Sequence, residues 1–398
     1  SMKSFLRLKV PYWLYAFLFF VIDGMSVIIV QMGVQRAGRV EMTSAMSGGR
    51  WGLITKTWKE LNFVIVLSAL VVAMIYGLIL LISNRFWISS AIILSVSLLI
   101  AVIEYMKVNV RYETILPADL NFLKSNTGNV ASFLPDNAPM VIGVALGVFI
   151  LLLVTTVCLH IFDTNHGKSV AIALILIGNL SWYIGGVGTV DSSANVFSKM
   201  LGDSPAMWDS VYDAQRNGAI VAFLRNVNPK IMDKPADYSE ETMKAVYKRY
   251  NDEAKRINRS RTTNMNDNTF ILILSESFSD PTRVPGLKLN KNPIPFISNL
   301  KKHTDSGLML SSGYGGGTAN LEYMSLTGLS MANFDPSMTS PYQQLVPNAQ
   351  WSPTINQYWD DSRNSIKSIA FHPYEPSMYL RATNYKKFGF SKFYALQG

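Results

Sequence analysis

The sequence TFILILSESF, residues 269–278, marks the point where the chain changes character. Its first half is a continuous apolar run of strand length, which is typical of a parallel strand buried on both faces. A carboxylate, Glu276, follows that run directly. Because sites in open α/β sheets lie outside the carboxyl ends of the strands, Glu276 is a candidate cation ligand or general base. On this segment alone, a helix-capping or surface glutamate is an equally good interpretation.

Segments of strand and helix character alternate downstream of this run. The predicted helices are residues 298–302, 321–326 and 353–359, and the predicted strands are residues 306–310 and 366–371. Alternation of this kind predicts an α/β domain with a mainly parallel sheet.

A glycine-rich turn, GYGGGTANLE at residues 313–322, precedes one of these helices. Such a turn lets backbone N–H groups approach a phosphate, and the Thr318 hydroxyl at the helix start would face an anion held there. The turn is not a Walker A loop, because no Gly-Lys-Ser/Thr follows, and Thr318 replaces the third glycine of a dinucleotide fingerprint. A surface loop with Thr318 as the helix N-cap is the competing interpretation.

A third cluster follows the last predicted strand. His372 lies in FHPY, residues 371–374, and Tyr379 and Arg381 come seven and nine residues after it. A histidine, an aromatic ring and an arginine in one loop can form a pocket for a phosphate that carries a small polyol. Taken singly, each residue is better explained by a structural role.

The upstream half of the chain is too apolar for an ordinary soluble protein. Of 398 residues, 49% are hydrophobic and 16% charged, and the apolar residues collect into five runs near the ~20 residues that cross a bilayer as a helix. The predicted spans are residues 10–30, 63–82, 86–103, 140–159 and 169–187. With this hydropathy, the net charge of +9 favours an anionic membrane surface over nucleic acid. The single cysteine, Cys158, excludes a disulfide framework within the chain.

A polar segment joins the two halves. Within it, residues 238–255 predict an amphipathic helix with Ser239 as N-cap and an apolar face that must pack on the following domain or the membrane surface. The predicted organisation is therefore a five-helix transmembrane domain at residues 1–190, an amphipathic helical connector at 191–268 and an α/β domain at 269–398.

Five spans, a connector and the three clusters in this order resemble the lipoteichoic acid synthase family. These are membrane phosphoglycerol transferases of the alkaline phosphatase/sulfatase superfamily, and the resemblance runs along the whole chain. Its specific part is SESF at 275–278, GTANLE at 317–322, LTG at 326–328, HPY at 372–374, Tyr379, Arg381 and FGF at 388–390. The resemblance implies that the α/β domain has a sulfatase-like fold.

Residue roles carry over from the family by position. The resemblance implies that Thr318 is the catalytic nucleophile, that Glu276 and Thr318 bind a metal, and that His372, Tyr379 and Arg381 hold glycerol phosphate. The family often has tryptophan where this chain has Tyr379. The implied metal is divalent, Mn²⁺ with Mg²⁺ as the substitute, and a weak nucleophile such as a threonine hydroxyl needs one.

The implied reaction takes glycerol phosphate from phosphatidylglycerol. Thr318 becomes a glycerophospho-threonine, and the group then passes to a glycolipid or polymer acceptor of the lipoteichoic acid type, in cell wall biogenesis. The family acts outside the cytoplasm, which implies a multi-pass protein of the cell membrane with an extracytoplasmic catalytic domain. A phosphoethanolamine transferase of the same superfamily is the nearest alternative. No nucleic acid partner is expected, and the sequence gives no oligomeric state.

One departure from the family concerns the metal. The family completes its metal site with an Asp-His pair, and no such dipeptide follows Thr318 in this chain. We therefore expect an α/β domain that is incomplete at the C-terminus and a metal site that lacks ligands. The same departure favours a second alternative, a non-catalytic membrane protein that binds lipid or a partner, and makes the activity of this chain depend on the missing pair.

Overall fold

A computed structural model describes residues 10–35, 52–121, 138–159, 168–311, 317–359 and 368–396. Apolar helices occupy the five places where spans were predicted. They are α1 (Tyr12–Gln35), α3 (Val64–Ser83), α4 (Phe86–Arg111), α5 (Ala138–Leu159) and α6 (Val170–Gly186), and the short α2 (Gly52–Lys59) lies between the first two.

Three of these helices, α1, α3 and α4, are long and apolar enough to cross a membrane. At 1.5 Å per residue, a helix of 20 residues such as α3 covers about the 30 Å of a hydrocarbon core. The apolar stretches within α5 and α6 are shorter, at Ile142–Thr155 and Val170–Gly186. The N-terminal half is therefore a helical region with three candidate membrane spans.

Helices α1 and α4 pack closely because a glycine lies where they meet. A Cβ added at Gly33 would lie 2.4 Å from the carbonyl oxygen of Ala101, so no larger side chain fits there without a shift. Val34 of α1 and Val108 of α4 are fully buried in the same apolar cluster. This packing holds α4 against α1.

Three short helices cover one end of the spans: α7 (Ser193–Met200), α8 (Ser210–Asn217) and α9 (Ala219–Arg225). The Gln31 side chain of α1 donates to the Ala214 carbonyl at 2.8 Å and accepts from the Ala219 N–H at 3.0 Å. Arg225 is buried and forms ion pairs with Asp203 and Asp213. Buried polar groups that satisfy one another in this way hold a rigid base beside the membrane helices.

The predicted amphipathic helix is confirmed as α10 (Glu240–Asn258). The Ser239 side chain accepts a hydrogen bond from the Thr242 N–H, as its assignment as N-cap required. The helix buries none of its residues, and Tyr247 and Tyr250 are among its exposed apolar side chains. The predicted packing of its apolar face is therefore not found within the part of the chain that the structure describes.

The predicted strands at 270–274 and 306–310 are wrong. Neither segment forms a strand, and Ile271 and Ile273 are each 82% exposed. A strand buried on both faces needs neighbouring strands and covering helices, and the described residues form only a two-stranded sheet. Its strands β1 (Ile369–His372) and β2 (Lys392–Ala395) run parallel, with Ile369 opposite Lys392, and β1 overlaps the predicted strand at 366–371.

The described part of the C-terminal half contains a small aromatic core and four short α-helices. They are α11 (Pro295–Leu300), α12 (Thr318–Thr327), α13 (Pro341–Gln344) and α14 (Arg381–Lys387), and the predicted helix at 353–359 is a single turn of 3₁₀ helix, Ile355–Tyr358. Ala319 and Tyr323 of α12 pack with Tyr342, Tyr385 and Phe388. This core joins the nucleophile candidate on α12 to the loop that precedes α14.

Candidate active site

Thr318 is the first residue of α12. The preceding Gly317 has φ +85°, a left-handed conformation that glycine adopts without strain, so the chain turns sharply into the helix. The first N–H groups of a helix have no partner within it, and the helix dipole places partial positive charge there. The Thr318 hydroxyl therefore lies where negative charge is stabilised. The rest of the glycine-rich turn, residues 313–316, lies outside the described residues.

Glu276 lies beside this hydroxyl. The Thr318 Oγ1 donates a hydrogen bond to Glu276 Oε2 at 3.1 Å, across 42 residues of sequence, and both side chains are half-buried. The segment before Glu276 does not form a strand, yet it still places the carboxylate beside the helix N-terminus. This contact brings together two of the residues predicted from the sequence.

Arg381 is almost fully buried and is bound to Glu322. Its Nε lies 3.2 and 3.0 Å from the two carboxylate oxygens of Glu322, its Nη2 lies 2.5 Å from Oε1, and its Nη1 donates to the Met378 carbonyl at 3.2 Å. Burial alone would lower the pKa of Arg381, but the Glu322 carboxylate outweighs it and raises that pKa. The guanidinium thus keeps its charge and ties α14 to α12, one helical turn from Thr318.

The Tyr379 ring lies against the Arg381 guanidinium, with 5.2 Å between the guanidinium carbon and the ring centroid. Burial raises the pKa of the Tyr379 hydroxyl, and a hydrogen bond from the Gly317 backbone opposes that shift, which places the hydroxyl beside the start of α12. Tyr379 and Leu380 have φ +57° and +56°. Two successive non-glycine residues in this region cost roughly 1–2 kcal/mol each, so the surrounding contacts must hold this loop in place.

His372 is the last residue of β1 and is half-buried. Burial lowers its pKa, and the positive charge of Arg381 lowers it further, while Glu322 opposes both. Its Nδ1 is buried with no hydrogen-bond partner among the described residues. The imidazole therefore lies close to the Arg381–Glu322 pair, and its Nδ1 is available for a hydrogen bond as far as the described residues show.

Two members of this site carry no role in the sequence analysis. Glu322 lies within a quoted motif, and its spacing of four residues from Thr318 is the signal that places both side chains on one face of a helix. Tyr385 donates its hydroxyl to Glu322 Oε2 at 2.9 Å. No sequence pattern pointed to Tyr385, because its contact with Glu322 spans 63 residues.

The donors at this site suit a divalent cation in type but not in number. Glu276 and Thr318 offer the hard oxygen ligands that Mn²⁺ and Mg²⁺ prefer. Among the residues described, however, no group of three or more His, Cys, Asp or Glu side chains comes close enough to hold a metal ion. Glu276 and Thr318 are therefore two candidate ligands of a metal site that is incomplete within the described part of the chain.

Parts of the chain are similar to known proteins. Residues 268–398 match the sulfatase family, and this part of the chain is a sulfatase domain of the alkaline phosphatase/sulfatase superfamily, whose members generally depend on divalent metals. A candidate cyclic β-1,2-glucan modification protein of Rhizobium meliloti (strain 1021) is 33% identical over 189 residues, 48% of this chain and 27% of that protein. This chain thus spans about a quarter of that curated relative.

A solved structure is also similar. The Streptococcus pyogenes phosphoglycerol transferase GacH, in complex with sn-glycerol-1-phosphate, is 39% identical, with 42% of this chain and 43% of that chain covered and a TM-score of 0.40. The superfamily predicted from the motifs is confirmed by the domain match.

Proposed function

We propose that this chain carries a membrane phosphoglycerol transferase. It takes glycerol phosphate from phosphatidylglycerol and passes it to a glycolipid or cell-envelope polymer, through a covalent glycerophospho-threonine at Thr318. The observation that carries the proposal is the 3.1 Å hydrogen bond from Thr318 Oγ1 to Glu276, at a helix N-terminus within a sulfatase domain. The name of the rhizobial relative supports an envelope glucan as one acceptor to test.

The first step forms a bond between Thr318 Oγ and phosphorus. The Glu276 carboxylate accepts a hydrogen bond from the Thr318 hydroxyl and takes its proton as the oxygen attacks phosphorus. The bond from phosphorus to the diacylglycerol oxygen breaks, and diacylglycerol leaves as the alcohol. In the second step an acceptor hydroxyl attacks the same phosphorus and returns the Thr318 hydroxyl.

The remaining predicted residues bind and orient the transferred group. His372 offers its free nitrogen, Tyr379 offers its hydroxyl and ring, and Arg381 supplies a fixed positive charge while it holds Tyr379 in place. A divalent cation, Mn²⁺ or Mg²⁺, with Glu276 and Thr318 among its ligands, would neutralise charge on the phosphoryl oxygens when bound.

The apolar helices keep the site beside its lipid substrate. We propose that all five cross the cell membrane and that the sulfatase domain faces the extracytoplasmic side. A donor confined to the same bilayer reaches a high effective concentration at a tethered site. The three helices that are long enough to span support this arrangement.

Intact mass spectrometry tests the proposal. The full chain in detergent is incubated with phosphatidylglycerol and Mn²⁺, beside Thr318→Ala and the control Thr327→Ala, which removes a hydroxyl from the far end of the same helix. We expect a glycerophosphate adduct on the wild type and the control and none on Thr318→Ala. An adduct formed from phosphatidylethanolamine instead would establish the phosphoethanolamine alternative. A folded wild type with no adduct would leave the non-catalytic alternative.

A further inference from the structure

The segment that carries Tyr379 and Arg381 contacts the carboxylate of Glu113, which comes directly after helix α4. Glu113 follows the end of α4, where Tyr112 turns the chain with φ +54°. Its side chain is 2% exposed, and both of its oxygens lie 3.2 Å from the hydroxyl of Thr383, which is 270 residues away in sequence. This contact joins the helical region to α14 and therefore to Arg381.

The segment around Glu113 is fixed to α4 itself. The Ile115 N–H donates to Glu104 at 3.0 Å, and Lys107 donates to the Thr114 carbonyl at 2.7 Å. The Thr114 N–H also donates to Ser210 of α8 at 3.2 Å. Because these partners belong to α4 and α8, Glu113 cannot move without disturbing the base of the helical region.

The segment that Glu113 contacts, residues 378–384, needs support from outside the sulfatase domain. Tyr379 and Leu380 both have positive φ, a conformation that their own side chains disfavour. The Tyr379 N–H donates to the Trp208 carbonyl at 3.1 Å, and Asn384 donates to the Tyr379 carbonyl at 3.1 Å. Trp208, like Glu113, lies outside the sulfatase domain. Two contacts from the helical region, one from Trp208 to Tyr379 and one from Glu113 to Thr383, therefore support the segment that contains the strained residues.

We propose that Glu113 is a positioning residue, through which helix α4 holds residues 378–384, the turn of 3₁₀ helix at Met378–Leu380 and the first turn of α14, beside the nucleophile. The anchoring rests on the geometry alone, and its effect on the donor lipid rests on the proposed function. Burial raises the pKa of Glu113, with Lys107 and Arg111 opposing, and the hydrogen bond to Thr383 forms with either a carboxylate or a carboxyl group.

Three variants of the full chain in detergent test the anchor. Glu113→Ala removes the acceptor, Thr383→Val removes the donor at nearly constant volume, and Glu113→Gln keeps an acceptor. Hydrogen–deuterium exchange is followed in peptides over residues 378–387, with Glu240→Ala on the exposed α10 as the control. We expect exchange there to rise about fivefold to tenfold in the first two variants, and to change less than about twofold in Glu113→Gln and the control.

Donor kinetics separate positioning from folding. Since the loop binds the glycerol phosphate, Glu113→Ala should raise KM for phosphatidylglycerol roughly tenfold with kcat nearly unchanged, and Glu113→Gln should restore it. A general folding defect would lower the maximal rate at constant KM, and that result overturns the proposal. Unchanged loop exchange in both Glu113→Ala and Thr383→Val overturns it as well. A wild type without any adduct refutes the proposed function, while the exchange data still decide the anchor.

Discussion

Replacing Glu322 by glutamine removes the charge that pairs with a buried guanidinium. The side chains of Arg381 and Glu322 are 2% and 11% exposed, so water cannot replace the lost carboxylate. Removing one partner of a buried ion pair costs about 3–5 kcal/mol. Glutamine keeps one oxygen acceptor for Arg381 and for the Tyr385 hydroxyl. We therefore expect Glu322→Gln to cost about 3 kcal/mol of stability, near the lower limit of that range.

Native-state hydrogen exchange measures this loss where it occurs. A cost of about 3 kcal/mol corresponds to roughly 10²-fold faster exchange through local opening, since about 1.4 kcal/mol is a factor of ten. The peptides to follow cover α12 and α14. The control is Glu240→Gln, which breaks the exposed Glu240–Lys244 pair, whose side chains are 83% and 77% exposed, and should change exchange by about twofold at most.

A double-mutant cycle completes the test. Glu322→Leu with Arg381→Met replaces the ion pair by apolar groups of similar length, and such replacements are often neutral. The two single variants of the cycle are Glu322→Leu and Arg381→Met, and we expect the double variant to exchange far more slowly than either of them. The reasoning is refuted if Glu322→Gln behaves like the exposed control, or if the two single effects simply add.

Two further predictions concern the imidazole of the site and the contact between membrane helices. Because the pKa of His372 is lowered from its ordinary 6.5, the unfolded chain binds that proton more readily, and the free energy of unfolding falls as pH decreases through 6.5. Thermal unfolding against pH should show a shallower fall for His372→Asn. Gly33→Ala places a methyl group 2.4 Å from the Ala101 oxygen and should cost about 1–3 kcal/mol, measured as a lowered Tm in detergent.

Each of these two predictions can be contradicted by a comparison between two protein variants. Parallel pH curves for the wild type and His372→Asn would contradict the burial of the imidazole beside Arg381. For the helix contact, Gly24→Ala is the matched control, because Gly24 lies on the same helix and an added Cβ there meets nothing within 4 Å. Equal Tm values for the two alanine variants would contradict the close approach of α1 and α4.

The parts of the fold that the sequence predicted well are those with local causes. In the hydrocarbon core of a bilayer, an apolar run of about 20 residues must satisfy its backbone groups within itself, and a helix does so. Ser239 caps α10 through a hydrogen bond to a residue three positions on. Gly317 directly precedes α12, and the positive φ at this position is one that glycine adopts without strain. In each case the interacting groups are neighbours along the chain.

The strands at 270–274 and 306–310 were mispredicted for the opposite reason. An apolar run indicates that a segment favours burial. The segment becomes a β-strand only if a neighbouring strand pairs with it. Within the described part of the chain, β1 pairs with β2 alone. The sequence had no means of indicating which segments would find partners.

The candidate site shows the same difference between local patterns and contacts over long sequence separations. The sequence by itself placed Thr318 at a helix start, because a glycine-rich turn followed by a helix is a local pattern, and the resemblance to the lipoteichoic acid synthase family implied that Glu276, His372, Tyr379 and Arg381 belong to one site. Only the tertiary structure paired Arg381 with Glu322, because that contact joins two helices 59 residues apart. The same holds for the support that Glu113 gives to Thr383, since hydrogen bonds over such separations depend on how the elements pack.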